Sequence, residues 1–570
     1  MGRVRELNVK GVAWRVREEF ADFLLDSGAL EVWELAKHPS ARLVKSGAHR
    51  RVFRVRLHRQ DNGEAVDLFV KEFLLPRVRD LVRYLFRRSR GMREWRTAEF
   101  LEKAGIPTAP RVAVGRRRVA RVLLEDCIIT EAVSEVTALD VFVREELSKS
   151  NGAPLARTVR EATPVLAGFI RALHDRGVLH RDFHAGNVLV RTEVTGGRRL
   201  MLIDLHAVKC GPPLSIGARL RNLTQFNRFF SMTVPRTARL RFWKAYVAGI
   251  PFLERNWRAY ARLLEEHTAI SCRRFWKRRQ KHCLRTNRHF RKLRMRGVRG
   301  YTVRGDIQLP EDVFRRVPSE GMMMPDAVVL KDSKSSTVSE QRIDFGGGIR
   351  SIIIKQKRRK PGWGYLRSFL RGVGAMREWR TAYAMRIRGL PAVEALAAFE
   401  RRSFGLLSES CLVTEKVENA GNLQIFTERT FAGELSRQTA RLRRRMARAL
   451  GRLIRRLHDL GFTQRDLKPS NILVTITGEA GEDFRFTLID FEGVRQRARV
   501  SDALRARDLG TVAANFVATP AVRATDMMHC LDGYLSGRSM SRARRRQFIA
   551  AIRRRIEEKL EKWRRAESSS

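Results

Sequence analysis

The chain has only six cysteines in 570 residues. That is too few for a disulfide framework at this length, so apolar cores must hold the fold, and the expected compartment is a reducing cytoplasm. No apolar run approaches the roughly 18 residues of a membrane-spanning helix, which predicts a soluble protein. The start, MGRVRELNVK, has no apolar segment of a secretory signal, and Glu6 stands where a myristoylation site needs Ser or Thr. Acidic residues are in deficit: 61 Asp and Glu face 114 Lys and Arg, a formal charge of +53. A field of that sign attracts polyanions, whether anionic lipid, phosphorylated glycolipid or nucleic acid. High arginine usage also arises in GC-rich coding, so charge alone does not name the partner.

What is present is a globular composition, 43% hydrophobic and 31% charged, in a chain too long for one core. Two bilobed units of about 280 residues fit the length as well as three or four ordinary domains do. One stretch of eleven residues occurs twice, HRDFHAGNVLV from His180 and QRDLKPSNILV from Gln464. Each copy sets an Asp five residues ahead of an Asn, and each is followed by an apolar strand ending in Asp. These are Asp182, Asn187 and Asp204 in the first copy, and Asp466, Asn471 and Asp490 in the second.

The duplication extends far beyond the motif. A shift of 284 carries Lys71 to Lys355, Glu94 to Glu378 and His174 to His458, and MREWRTA recurs letter for letter at Met92 and Met376. After a two-residue insertion the shift becomes 286, linking Asp204 to Asp490 and Leu223 to Leu509. One register held over more than a hundred residues is a tandem copy of a whole domain, with a longer period than solenoid repeats.

Upstream of the first motif the pattern predicts a hairpin over 41–57 and a strand AVDLFVKEF carrying Lys71. A helix over 91–106 carries Glu94, strands run up to IITEAV, and a long helix from about Leu155 enters the motif. In the second copy, the hairpin LKDSKSSTVSEQRI has no glycine, and backbone amides with Ser333, Ser335 and Ser336 are candidates to meet phosphate. The triplet Gly346–Gly348 is expected as a tight hairpin.

Residues 1–40 read as a lead-in, with WRVREEFADFLL as a short amphipathic helix. The expected division is then 41–272 for the first domain, 273–305 for a basic linker and 306–570 for the second domain, which ends in a basic amphipathic helix. The linker, RRFWKRRQKHCLRTNRHFRKLRMRGVR, reads either as a solvated helix or as a surface for anionic lipid, with nucleic acid the lesser candidate. Cys272, His282, Cys283 and His289 match no zinc spacing and are treated as incidental.

The order Lys, Glu, RDxxxxN and Asp resembles the protein-kinase-like superfamily. That resemblance implies an α+β fold of two tandem bilobed domains, each with a small antiparallel-sheet N-lobe plus one helix and a larger helical C-lobe. It also implies ATP and Mg2+. Lys71 with Glu94, and Lys355 with Glu378, would hold nucleotide phosphates; Lys468 would lie near the transferred phosphate. Asp182 and Asp466 would be the bases, and Asn187, Asp204, Asn471 and Asp490 the magnesium ligands.

Neither Asp204 nor Asp490 is followed by a long activation segment, the usual platform for an extended peptide, which favours a small hydroxylated acceptor. With REW in the early helix, RDFHAGN, LIDLH and the short link to an Arg-rich helix, the chain resembles the lipopolysaccharide kinase (Kdo/WaaP) family. This resemblance covers roughly 40–260 and 325–530. It implies phosphorylation of a heptose or Kdo hydroxyl of the lipid A core, with the enzyme cytoplasmic and peripheral on the inner membrane face. Two alternatives remain: a Ser/Thr protein kinase, and a tandem kinase and pseudokinase in which one half regulates the other. Three departures from the protein-kinase pattern stand out. His184 occupies the place of Lys468, Leu205 and His206 follow Asp204, and Gln464 replaces His180, which is expected to loosen the loop.

Overall fold

Period-two patterning begins almost at once, in VRELNV and VAWRVR, and the computed structural model shows two strands there rather than a lead-in: β1 (Val4–Val9) and β2 (Val12–Arg17). The anticipated helix over WRVREEFADFLL is split. Val12, Trp14 and Val16 point into the core from β2, and only Glu18–Asp26 is helical, burying Phe20, Ala21 and Leu24. Apolar residues of a strand followed directly by a helix had merged into one apparent stripe. The structure describes all residues except 1–2, 29, 31–37, 48, 60–62, 76–83, 86, 150–152, 193–196, 296, 321–326, 334–335, 358–373, 404–405, 435, 478–482, 518, 538–539 and 569–570. Ser335 lies outside the described residues.

The chain divides into two units, Met1–Arg273 and Arg274–Ser570. In the first, β3 (Arg42–Gly47), β4 (Arg50–His58), β5 (Ala65–Phe73), β6 (Arg111–Val119) and β7 (Val122–Glu131) join β1 and β2. The antiparallel sheet has the order β1-β2-β6-β7-β5-β4-β3. The helix Arg90–Lys103 is capped by Ser89, whose hydroxyl accepts from the Met92 N–H at 3.2 Å, and it buries Glu94, Trp95, Ala98 and Leu101. β8 (Val136–Ala138) and the long helix Ala153–Asp175 follow. Two short antiparallel pairings then frame the RDxxxxN loop: β9 (Val178–His180) with β12 (Val208–Cys210), and β10 (Val188–Thr192) with β11 (Arg198–Leu202). Helices Ile216–Thr233, Arg236–Val247 and Trp257–Arg279 complete this lobe.

The second unit repeats this plan. β13 (Phe290–Met295), β14 (Val298–Val303), β15 (Val328–Ser333), β16 (Ser336–Asp344), β17 (Ile349–Lys357), β18 (Ala395–Ser403) and β19 (Leu406–Glu415) form a sheet of order β13-β14-β18-β19-β17-β16-β15. The later part of the expected linker 273–305 is therefore sheet. Its basic residues obscure buried apolar positions, Phe290 and Leu293 on β13 and Val298 on β14, set among the more exposed Arg291, Lys292, Arg294 and Arg299. Cys272 and Cys283 are buried, and among the described residues no group of three or more His, Cys, Asp or Glu could hold a metal. The C-terminal residues form the expected helix, Arg542–Glu567.

Two exchanges show how the copies diverged while keeping their register. On β2, Trp14 lies opposite Gly115, where a Cβ would sit 2.7 Å from the indole. On β14 the equivalent residue is Gly300, opposite Phe399, and there a Cβ would meet the phenyl ring at 2.6 Å. The aromatic has changed strands. Likewise Gly91 N–H donates to Asp126 at 2.9 Å and leaves no room for a Cβ, whereas Ala375 N–H donates at 2.6 Å to the shorter Ser410. Among the described residues no helix is long and apolar enough to cross a membrane.

Candidate active site

The loop that carries Asp182 is fixed from beneath. His180 is buried and spans the loop: Nδ1 accepts the Asp182 N–H at 3.2 Å and Nε2 donates to the Ile203 carbonyl at 3.3 Å. This pattern needs a neutral ring, and burial pushes its pKa down. Further back, the Tyr246 hydroxyl donates to His174 Nδ1 at 2.7 Å, His174 Nε2 donates to Asn222 Oδ1 at 3.1 Å, and Asn222 Nδ2 donates to the His180 carbonyl at 2.6 Å. Burial lowers the His174 pKa to about 4.

The second unit runs the same relay with altered chemistry. Tyr534 donates to His458 Nδ1 at 2.9 Å, and His458 Nε2 meets Asp508 at 3.2 Å. Asp508 then accepts the Gln464 N–H at 2.8 Å. Gln464 does not loosen this loop. Its side-chain amide donates to the Asp490 carbonyl at 3.0 Å, taking over the bond that His180 makes to Ile203.

In both loops the asparagine amide is committed to the backbone: Asn187 Nδ2 donates to the Asp182 carbonyl at 2.9 Å, and Asn471 Nδ2 to the Asp466 carbonyl at 3.2 Å. Each amide keeps its oxygen as an acceptor, and one further N–H. Asp204 and Asp490 both take left-handed backbone geometry, φ 63° and 59°, a conformation that carries a cost for any residue with a Cβ. Asp182 and Asp466 are the most open carboxylates, with side chains 68% and 49% exposed. His184 Nε2 lies 3.9 Å from Asp182, whereas Lys468 Nζ lies 3.0 Å from Asp466.

Charge is distributed differently around the two clefts. In the first, Lys71 pairs with Glu94 alone, while Asp204 receives Arg50, with Nη1 to Oδ1 at 2.6 Å and Nη2 to Oδ2 at 3.2 Å, and His206 Nδ1 at 2.6 Å. Burial opposes ionisation of Asp204, but the hydrogen bonds from His206 and Arg50 hold it well below the usual carboxylate range. In the second cleft, Lys355 lies 2.7 Å from Asp490 and 3.5 Å from Glu378. Lys357 takes the other Glu378 oxygen at 2.6 Å and reaches Glu492 at 3.2 Å. Against the effect of burial, Glu378 and Asp490 raise the Lys355 pKa, and Lys355 lowers that of Asp490.

In the second unit, then, Lys355, Glu378 and Asp490 meet directly, with Asn471 and Asp466 joined through the loop. In the first, Lys71 with Glu94, Asp182 with Asn187, and Asp204 form three groups, and the Arg50 guanidinium feels Asp204, Glu94 and Asp182. Sequence reasoning passed over Arg50, His206, Lys357, Glu492 and the Asn222/Asp508 anchor. Two signals were available: Arg50 lies in the hairpin expected over the phosphates, and Lys357 is two residues from Lys355 and so on the same strand face. The Asp508 contacts depend on long-range packing, whereas His206 meets Asp204 from two residues away.

The donor set suits a hard cation brought in by a ligand. A carboxylate and an amide oxygen in each cleft are too few for an all-protein cage, but they match magnesium, which is held by one or two protein oxygens together with phosphates. Apolar cavities of about 400 and 350 Å3 lie elsewhere, inside the helical lobes, one lined by Leu139, Phe226 and Trp243 and the other by Leu423, Phe516 and Ile552.

The lipopolysaccharide kinase (Kdo/WaaP) family matches this chain twice, over residues 34–262 and 333–534. A 3-deoxy-D-manno-octulosonic acid kinase of Actinobacillus succinogenes is 31% identical over 30% of this chain and 67% of its own length. A kinase of the same name from Haemophilus influenzae is 31% identical over 22% of this chain and 47% of its own. A lipopolysaccharide core heptose(I) kinase WaaP of Pseudomonas aeruginosa is 28% identical over 27% and 58%. The chain thus spans between about half and two thirds of these relatives. A solved structure of WaaP in complex with acyl carrier protein is similar over 45% of this chain and 98% of that one, at 21% identity and a TM-score of 0.35.

Proposed function

Since the chain belongs to the lipopolysaccharide kinase (Kdo/WaaP) family, we propose that it transfers the γ-phosphoryl group of ATP to a hydroxyl of a lipopolysaccharide core sugar, heptose or Kdo. The observation that carries this reading is the meeting of Lys355 with both Glu378 and Asp490, above a loop that ties Asn471 to Asp466. Lys71, Glu94, Asp182, Asn187 and Asp204 are the corresponding set in the first unit. Asp182 and Asp466, open to solvent, orient the acceptor hydroxyl and take its proton. Lys71 and Lys355, held by Glu94 and Glu378, meet nucleotide phosphates. The oxygens of Asn187 and Asp204, and of Asn471 and Asp490, would hold magnesium, which when bound draws charge from the phosphates. Lys468, 3.0 Å from Asp466, is placed to follow the transferred group in the second unit.

The charge of the chain supports an anionic acceptor. Lys559, on the C-terminal helix, is partly buried, which lowers its pKa; Asp466 opposes that shift, and neighbouring Arg555, Lys468 and Lys562 reinforce it. The C-terminal helix Arg542–Glu567 is itself strongly basic. Such residues contribute on the order of 1 kcal/mol each toward an anionic membrane surface, so the enzyme would work at the cytoplasmic face of the inner membrane.

The test is phosphotransfer by the full chain from labelled ATP, with magnesium, to core oligosaccharide and to a protein acceptor. Label on the glycan is expected. Asp182→Asn and Asp466→Asn should each lower transfer by their own half about 10²- to 10⁴-fold, the range for loss of a positioned base. Label confined to protein, or unchanged transfer in the double variant, would reject the reading.

A further inference from the structure

Neither phosphate hairpin has the glycines that let backbone amides close around an anion; the first has only Gly47. The first hairpin does carry a guanidinium. Arg50 opens β4, where it pairs with Phe73, while Val52 pairs with Lys71. Cross-strand partners project to the same face, and so do residues two apart, so Arg50 stands on the face of the sheet from which Lys71 reaches Glu94. Both of its terminal nitrogens engage Asp204, the carboxylate proposed to bind metal, and its side chain is only 21% exposed.

That fork matches a carboxylate and a phosphate equally well. A cation bound by Asp204 would compete with Arg50 for the carboxylate oxygens, because His206 shares Oδ1 and Arg50 covers both. The displaced guanidinium remains tethered to the hairpin, beside the place where phosphates would enter with the cation. Among the described residues, the second unit has no arginine at this register. Ser336 occupies it, opposite Lys357, and Lys355 neutralises Asp490 instead.

From this we infer that Arg50 is a nucleotide-phosphate ligand specific to the first site: a counter-charge to Asp204 in the free protein, and a clamp on the phosphates once the cation takes that carboxylate. This rests on the kinase reading of the cleft. Exchanging one bidentate anion for another leaves no buried charge unpaired in either state.

The test uses the full chain carrying Lys355→Met, which removes the phosphate-holding lysine of the second site, and equilibrium binding by calorimetry, with any adenosine bound at the second site taken as a constant background shared by every Arg50 variant. The probes are magnesium with a non-hydrolysable ATP analogue, and adenosine. Arg50→Gln should weaken the magnesium-nucleotide roughly tenfold or more, the scale of a lost charge-assisted hydrogen bond, and leave adenosine affinity unchanged. Arg50→Lys, which keeps the charge but loses the fork, should fall between. Unchanged or tighter nucleotide binding in Arg50→Gln would make Arg50 a counter-ion only, and an equal loss for adenosine would make it a structural residue; either result overturns the proposal. No magnesium-nucleotide binding even with Arg50 intact would overturn the kinase reading of this site as well.

Discussion

The two clefts keep the same register and divide their charges differently. In the first, lysine and glutamate form a closed pair and an arginine from the hairpin attends to Asp204. In the second, Lys355 serves both acids and Lys357 supports Glu378. Phe73 stands where the second unit has Lys357, and Ser336 stands where the first has Arg50. What the copies have conserved is neutrality at a half-buried carboxylate, which burial makes costly to leave unpaired. The identity of the cation was free to drift. The loop anchors show the same freedom, since Asn222 donates to a carbonyl where Asp508 accepts from an N–H.

The sharpest way to break this comparison is at the exchanged aromatics. Phe399→Gly should cost the second unit about 3–5 kcal/mol, the usual loss for a large buried ring. Adding Gly300→Trp should recover much of it by rebuilding the arrangement of the first unit. Denaturant unfolding of the single and double variants measures both, and a double variant no better than the single would show that the two packings are not interchangeable.

Acid sensitivity separates the units next. A group whose pKa falls from 6.5 unfolded to about 4 folded takes up its proton first in the unfolded chain. The contribution of His174 is therefore intact above pH 6.5 and declines as the pH falls toward 4, by roughly 3 kcal/mol at the lower end. His458 is also lowered by burial, but Asp508 opposes the shift. Unfolding followed from pH 7 to 4 should show His174→Phe flattening the decline, with the corresponding change at His458 having the smaller effect.

The smallest expected effect is at the start of the helix that bears the glutamate. Gly91→Ala drives a Cβ to 2.6 Å from Asp126 and should cost about 1–3 kcal/mol. Asp126→Ser, which copies Ser410, should relieve it. Thermal unfolding of the pair against each single change reads the coupling.

The duplication and much of the order of elements were legible in the sequence, which also brought forward the eleven residues proposed for the two sites, because a fixed register turns each weak local signal into two matching ones. The early and middle strands were not. Basic residues between the apolar ones made β13 resemble a solvated segment, although Phe290 and Leu293 are both buried. Asp508 was out of reach for another reason: it acts on His458 and the Gln464 N–H, which only folding brings near, and likewise the partner of Arg50, Asp204, lies 154 positions away. Gln464 looked like a weakened histidine because its new partner, the Asp490 carbonyl, is a backbone atom with no sequence signature.

The exchange of Trp14 and Gly115 for Gly300 and Phe399 also has a genetic consequence. Near-identical stretches such as MREWRTA invite crossing over between the repeats. A crossover there would unite one parent's β2 type with the other's β18 type, giving either Trp against Phe or glycine against glycine. Both products would be misfits, one overfilled and one hollow, so a hybrid unit joined at that point is expected to fold less stably than either parent.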